Sequence, residues 1–292
     1  MSVATIYEVD SRQYVFAYLI QSEGDLPADF PVPLSGEGFK LGLFLPRYAP
    51  NWFGRSSHPP RILLLSGDRL VLLTHPRYNQ PPLPIPVSNI VFFEAGQMLL
   101  IGWLRFVTAQ SDIELGYNTG SHHRVREFLR VLMDAYLPEI PDAGHGEAAV
   151  FGLPLDIKFA NCLNETLDRN EWVRARLFSP PVEVSRRWGP LRTHSQTAGD
   201  LVAFTNRRVV WITDRWNGRY ERYGSIIRTA PVHALTAIHC SRTEKDRTLI
   251  LSFRGGASWN IPLSFERYDD ARRFAAQTHR MKLETMPERN GK

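Results

Sequence analysis

Apolar and polar positions follow a pattern that occurs twice along this chain. Two apolar runs flank a polar turn in residues 62–75, and a second such pair occupies residues 201–215, at an offset of 139 without a gap. Short apolar runs on either side of a turn that contains Asn or Gly predict β-hairpins. The turns are formed by residues 66–69 in the first half and 205–208 in the second.

The elements around each hairpin are predicted in the same order: a strand, a long loop, the hairpin, three further strands and a closing helix. The first half has strands at 37–45, 85–94, 97–107 and 112–117, with Gly96 ending the second of them. The second half has strands at 171–178, 225–239, 247–253 and 257–263. Pro86-Val87 aligns with Pro231-Val232 at an offset of 145. One order at nearly constant spacing indicates an internal duplication.

Three segments have a helical period instead. The first two are residues 121–137, with Val125, Phe128, Leu129, Leu132 and Tyr136 on one face, and residues 269–282, with Ala271, Phe274, Ala275 and Thr278. The third is residues 155–167, with Ile157, Phe159, Ala160, Leu163 and Leu167. A twisted sheet with an apolar face has to close or be covered. The first two helices are therefore expected to cover the sheets of their own halves.

The small, polar, Gly-bearing stretch 141–147 predicts a linker. We therefore predict a first domain at 1–140, a linker at 141–154, a second domain at 155–284 and a polar tail at 285–292. The role of residues 1–36 stays open, because they carry no clear pattern.

The second hairpin, DLVAFTNRRVVWITDR, resembles the hairpin of bacterial pleckstrin-homology and GRAM-type domains. Thr205, Asn206, Arg207 and Arg208 supply the motif, whereas the first half departs from it with Ser-Gly-Asp-Arg at 66–69. The resemblance implies a mainly β (β+α) fold of two tandem pleckstrin-homology-like barrels, each built of antiparallel strands closed by a C-terminal amphipathic helix. That fold serves lipid binders, peptide binders and scaffolds, so it does not fix a function.

Composition and charge narrow the class of protein. A chain that is 43% hydrophobic and 22% charged can build a sizeable core and is typical of soluble globular proteins. It shows no membrane-spanning run and no secretory signal, and its two cysteines form no close metal spacing, so a cytoplasmic location is expected. The net charge of +5 is uneven, with −4 in residues 1–150 and +9 in residues 151–292. The basic second half favours an anionic partner.

Basic and aromatic residues gather in two segments predicted as loops, 180–197 and 216–223, and at Arg215 directly before the second of them. The candidate binding residues are Arg186, Arg187, Trp188, Arg192, Arg215, Trp216, Arg219, Tyr220 and Arg222. Arg presents a planar fork to phosphate, and Trp and Tyr suit a bilayer interface or base stacking. The alternative is a solvated loop whose Arg side chains pair with carboxylates such as Glu183 and Glu221. The spacing of basic residues that phosphoinositide-binding members of the family carry on the first hairpin is not evident.

Trp103 lies in a run, 99–106, that is more apolar than a strand with one wet face should be. The run is either a fully buried strand or an edge that pairs with another chain or with the sister domain. We favour burial between the two domains.

No catalytic or metal-binding motif occurs in the sequence, and no cofactor is expected. We therefore predict a non-enzymatic binding or scaffold protein that engages a protein partner, or a second copy of itself, through strand edges or the groove beside a closing helix. The alternative is peripheral association with an anionic membrane surface through the basic loops. Nucleic-acid binding ranks below these, because no recognition helix or stacking sheet accompanies the basic segments, and an unrecognised enzyme ranks last.

Overall fold

The computed structural model describes residues 16–30, 38–47, 59–137, 148–168, 170–181, 183–188, 191–196, 198–216, 219–220, 224–243 and 246–285. The strands of the first half are β1 (Tyr18–Ile20), β2 (Leu41–Leu45), β3 (Arg61–Ser66), β4 (Arg69–Thr74), β5 (Leu83–Pro86), β6 (Ile90–Met98), β7 (Ile101–Thr108) and β8 (Asp112–Asn118). They are followed by β9 (Ala149–Gly152), β10 (Val173–Ser179), β11 (Glu183–Trp188), β12 (Leu191–Gln196), β13 (Asp200–Thr205), β14 (Arg208–Thr213), β15 (Arg215–Trp216), β16 (Arg219–Tyr220), β17 (Gly224–Pro231), β18 (Leu235–Arg242), β19 (Arg247–Phe253) and β20 (Ser258–Pro262). The helices are α1 (His122–Tyr136), α2 (Ile157–Thr166) and α3 (Tyr268–Thr285). The fold is mainly β.

The chain divides into two compact units that are discontinuous in sequence. The first comprises 1–88, 99–103 and 114–135, and the second comprises 89–98, 104–113 and 136–292. Strand β6 therefore belongs to the second unit although it lies in the first half of the sequence. The domain boundaries at 140 and 155 stay a prediction.

The first unit contains a five-stranded antiparallel sheet in the order β1-β2-β3-β4-β5. Strands β2 and β3 are buried on both faces, which is why they read as unbroken apolar runs. On one face Ile20, Phe44 and Ile62 form a cluster. In α1 the predicted apolar set is buried, with Val125, Phe128 and Leu132 fully enclosed. Trp103 is buried as well.

The second unit contains most of a sheet in the order β8-β7-β6-β17-β14-β13-β10-β9, including residues 104–108 of β7 and 112–113 of β8. One face packs on α2 through Phe159 and Leu163. The other face packs on α3 and on a three-stranded sheet, β18-β19-β20. Burial on both faces explains the continuous apolar runs of β13 and β14.

Strand pairing repeats in the two halves of the sequence. Leu65 faces Leu70 in the first hairpin, and Phe204 faces Val209 in the second, at the predicted offset of 139. The next strands agree as well, because Arg69 faces Pro86 on β5 and Arg208 faces Pro231 on β17. Both hairpins and all three predicted helices are confirmed as elements.

Several predicted elements are wrong in detail. The single strands predicted at 85–94 and 225–239 are each divided by a 3-10 turn, at Val87–Asn89 and Val232–Ala234. In each case the residue after a proline begins the turn, and its N–H donates to a carbonyl of the preceding hairpin. Val87 donates to Asp68, and Val232 donates to Arg207. Strand β6 also continues through Gly96 to Met98 and turns at Leu99, whose φ is +50°.

Two larger expectations also differ from the structure. In the part of the chain that the structure describes, the sheets stay open and no closed barrel is formed. The predicted linker contains β9, which runs parallel to β10, while residues 141–147 lie outside the described residues. No described helix has both the length and the apolar character that crossing a bilayer requires.

Candidate functional site

The two basic, aromatic segments, which were predicted as loops, contain short strands. Arg186, Arg187 and Trp188 lie on β11, and Arg192 lies on β12, with Arg187 directly opposite Arg192. The second segment forms another short antiparallel pair, β15 with β16, in which Arg215 faces Tyr220 and Trp216 faces Arg219. Arg222 lies outside the described residues. Among the candidate binding residues, Arg215 is the one whose side chain is described.

Arg215 takes part in a buried polar cluster. Its Nη2 lies 3.4 Å from Asp200 Oδ2, and the indole Nε1–H of Trp211 donates to Asp200 Oδ1 at 3.0 Å. Burial raises the pKa of Asp200 to about 6, and Arg215 and the Trp211 hydrogen bond oppose that rise. Part of the charge that Arg215 brings to the candidate surface is therefore engaged within the protein.

The motif that carried the family resemblance anchors the second hairpin to the chain before it. Arg208 is almost fully buried and forms an ion pair with the buried Glu171, with Nε to Oε1 at 2.7 Å. The hydroxyl of Thr205 donates to the same Oε1 at 2.6 Å, and Arg208 Nη2 donates to the carbonyl of Thr166 at 2.6 Å. Asn206 exchanges hydrogen bonds with the backbone of Trp172. These residues fix the turn against the segment between α2 and β10.

A second internal ion pair joins two strands of the large sheet. Arg228 on β17 donates from Nε to Glu94 Oε2 on β6 at 2.6 Å, and its guanidinium lies 4.2 Å from the ring centroid of Trp211. Sequence reasoning missed this pair, because nothing in the sequence indicates that residues 134 positions apart lie on paired strands.

The outer edge of β18 pairs with no strand in the described part of the chain. Within the described residues, β18 has one strand neighbour, β19. The N–H of Thr243 donates to the carbonyl of Asp246. In an antiparallel pair every second residue is hydrogen-bonded to the neighbouring strand, so residues 241, 239 and 237 of β18 are the ones bonded to β19. The backbone groups of Ile238, Cys240 and Arg242 therefore point away from β19. No proline interrupts this strand.

Prolines occupy outward-facing positions at two other sheet edges, those of β5 and β20. The N–H of Val87 donates to the carbonyl of Asp68, so the backbone groups of residues 83 and 85 of β5 point toward β4. Pro84 and Pro86 occupy the positions whose backbone groups point outward. By the same alternation Pro262 occupies an outward position on β20. Proline has no N–H to offer an added strand, and such residues are a common protection of sheet edges. Strand β17 carries Thr229 where β5 carries Pro84, and β17 does accept a neighbour.

That neighbour is β6, the counterpart of β18 in the repeat. Residues 90 and 235, the first of each strand, both follow the 3-10 turn and are separated by the repeat offset of 145. Strand β6 pairs antiparallel with β17 over Phe93 to Met98. At this edge Tyr136 of α1 donates to the carbonyl of Val91 at 3.0 Å, and Lys282 of α3 donates to that of Thr236 at 3.0 Å. In the first half of the sequence, the hydrogen bond from Tyr136 to Val91 therefore coexists with the pairing of β6 and β17.

The described residues contain no cluster of three or more His, Cys, Asp and Glu side chains that could hold a metal ion. No protein-family model matches the chain, and no curated protein matches it.

Proposed function

We propose that this protein is a non-enzymatic binding module that takes up an extended segment of a partner protein as an added antiparallel strand beside β18. Each half of the sequence then acts as one pleckstrin-homology-like copy. In the first copy the β6 edge is occupied from within the chain, and in the second copy the β18 edge receives the partner.

The observation that carries this proposal is the pairing of β6 with β17. It provides a worked example, in the same chain, of a strand added to the equivalent edge in the presence of the closing helix. Six residues of β6 take part, which corresponds to about 20 Å of extended chain. In strand addition the backbone hydrogen bonds supply affinity, and alternate side chains supply specificity.

The proposal predicts that peptide binding depends on the outward backbone groups of β18. Twelve-residue peptides selected by display against the intact protein should bind the wild type and lose at least about tenfold in affinity for Cys240→Pro, because proline removes an outward N–H and obstructs the added strand. Hydrogen exchange should show slower exchange of the amides of Ile238 and Arg242 in the complex. The matched control is Cys240→Ala, which shortens the same side chain and keeps the N–H.

Thermal melting separates binding from folding in these variants. Cys240→Pro should melt close to Cys240→Ala, since its missing N–H points away from β19. Selected peptides that bind Cys240→Pro as well as the wild type, or that protect amides elsewhere, would contradict the proposal. Peptide-independent dimers that Cys240→Pro abolishes would assign the edge to a second copy of the chain instead.

A second candidate function is association with an anionic surface through the two short strand pairs that carry the basic, aromatic residues. The register that places Arg187 opposite Arg192 favours it, because like charges directly opposite one another are destabilising without a counter-charge.

Vesicle co-sedimentation tests this second candidate. Anionic vesicles, and not neutral ones, should pull down the intact protein, and Arg187→Glu with Arg192→Glu should reduce the bound fraction about tenfold at low salt. Arg280→Glu, a charge reversal at an exposed position of α3, is the control and should bind almost as the wild type does. Equal sedimentation of the double variant and the control would exclude these strands as the membrane contact.

A further inference from the structure

Helix α3 runs antiparallel to β18 along its whole length. Two contacts fix the alignment: the Arg242 guanidinium lies 5.9 Å from the ring centroid of Tyr268, and Lys282 donates to the Thr236 carbonyl at 3.0 Å. From Tyr268 to Lys282 the helix advances about 21 Å, and from Arg242 to Thr236 the strand advances about 20 Å. Helix and strand therefore border the same strip of surface.

The strip between α3 and β18 is basic. Positions 268, 272, 275, 279 and 282 recur at helical spacing and so share the helix face along β18. Their exposed basic or titratable members are Arg272 and His279, and Arg242 is exposed on the strand side, whereas Lys282 is buried and donates to the Thr236 carbonyl. Arg272 is exposed and lies one helical turn beyond Tyr268, which contacts Arg242, so it follows Arg242 along the strand. Burial raises the pKa of the Cys240 thiol to about 11, and the Arg272 charge opposes that rise.

Asp270, near the start of α3, does not offset this charge. Asp270 forms ion pairs with both Arg267 and Arg273, so it is engaged on its own side of the helix. Arg272 and Arg273 are thus neighbours in sequence with different surroundings: Arg273 is paired, and Arg272 is exposed beside the β18 edge.

The occupied edge of the first copy shows how charge is matched at such a junction. There the receiving strand β6 contributes Glu94, and the added strand β17 contributes Arg228, at 2.6 Å. At β18 the receiving side is basic, so complementarity requires the opposite sign on the added strand.

We infer that the segment taken up beside β18 is acidic: an extended stretch of a partner protein in which Asp or Glu alternates with apolar residues. This inference rests on the proposed function, since it specifies the chemistry of the strand that the edge receives. The carboxylates lie along Arg242 and Arg272, while the backbone pairs with the outward groups of Ile238 and Cys240.

Three fluorescent ten-residue peptides test the inference with the intact protein. They alternate Val with Glu, with Thr or with Lys, and their binding is followed by anisotropy at low and at physiological salt. We expect the Glu peptide to bind about tenfold tighter than the Thr peptide, with the Lys peptide weakest and the differences shrinking as salt rises. Arg272→Gln should weaken the Glu peptide about threefold, and Arg273→Gln, the matched control, should leave its affinity unchanged.

The outcomes separate the charge inference from the edge itself. Equal binding of the Glu and Thr peptides, both lost in Cys240→Pro, would overturn the acidic preference and leave strand addition standing. Equal weakening by Arg272→Gln and Arg273→Gln would overturn it too, since the attraction would then be diffuse. If the Glu peptide still binds Cys240→Pro, both the acidic preference and strand addition at β18 are overturned. If the Glu peptide does not bind at all, the acidic preference is overturned, and the display selection decides whether strand addition stands.

Discussion

Replacing Arg208 with methionine is expected to lower the free energy of unfolding of the second unit by about 3–5 kcal/mol. Methionine keeps much of the length of the side chain and removes the charge. The side chains of Arg208 and Glu171 are 1% and 0% exposed, so the variant leaves a buried carboxylate. The donors that still reach it are neutral, the Thr205 hydroxyl and the backbone N–H of Asp168. Urea denaturation followed by tryptophan fluorescence measures the loss.

The double variant Arg208→Met with Glu171→Leu is the informative companion. It removes both charges, so we expect it to recover most of the lost stability, because apolar replacements of a buried ion pair are often neutral or stabilising. Arg242→Met, at an exposed position, should stay within about 0.5 kcal/mol of the wild type. If Arg208→Met cost no more than Arg242→Met, the ion pair would not hold the hairpin in solution.

The hairpin and its turn can be predicted from the sequence, but the buried ion pair that anchors the turn cannot. Thr205, Asn206 and Arg208 are local in the chain, and their tendency to turn shows in the residue types. Their partners are not local: Glu171 is reached through the fold, 37 residues away. A motif can therefore mark a position that matters, while the role it performs there, in this case anchoring a turn, depends on tertiary contacts.

The strands β11 and β12 were not predictable from periodicity. They form a two-stranded sheet that pairs with no other strand in the described part of the chain. The alternation that identifies a strand comes from one buried face, and residues 183–188, EVSRRW, offer no such alternation. Their Arg and Trp residues instead suggested a loop.

The unpaired edge of β18 could not be predicted from the sequence either, for a different reason. Which edges are free depends on which strands pair, and the pairing of β6 with β17 joins residues more than 120 positions apart. One signal was present nonetheless. Prolines at 84 and 86, set against Thr229 and Pro231 at the same places in the repeat, mark β5 as a protected edge and β17 as a usable one.

Replacing Phe274 with alanine is expected to cost about 3–5 kcal/mol of stability. Phe274 is fully buried in the core that α3 forms with the two sheets of the second unit, and its ring makes an edge contact with Phe151, with centroids 5.9 Å apart. Phe128 is its counterpart in the repeat and is equally buried in the first unit, so Phe128→Ala should cost a similar amount. Calorimetry of each variant measures the effect, with Ala276→Gln, at an exposed position of α3, as control.

Phe274→Ala also connects the core to the proposed function. The same helix carries Arg272 along β18, so weaker packing of the helix on the core should reduce the affinity for acidic peptides as well as the melting temperature. Ala276→Gln changes the same helix without reaching the core and adds no charge, so it should change neither quantity appreciably. Melting midpoints unchanged in both Phe128→Ala and Phe274→Ala would mean that neither helix closes its sheet. A large loss of stability in Phe274→Ala with peptide affinity intact, measured well below its melting temperature, would instead place the acidic contacts away from α3.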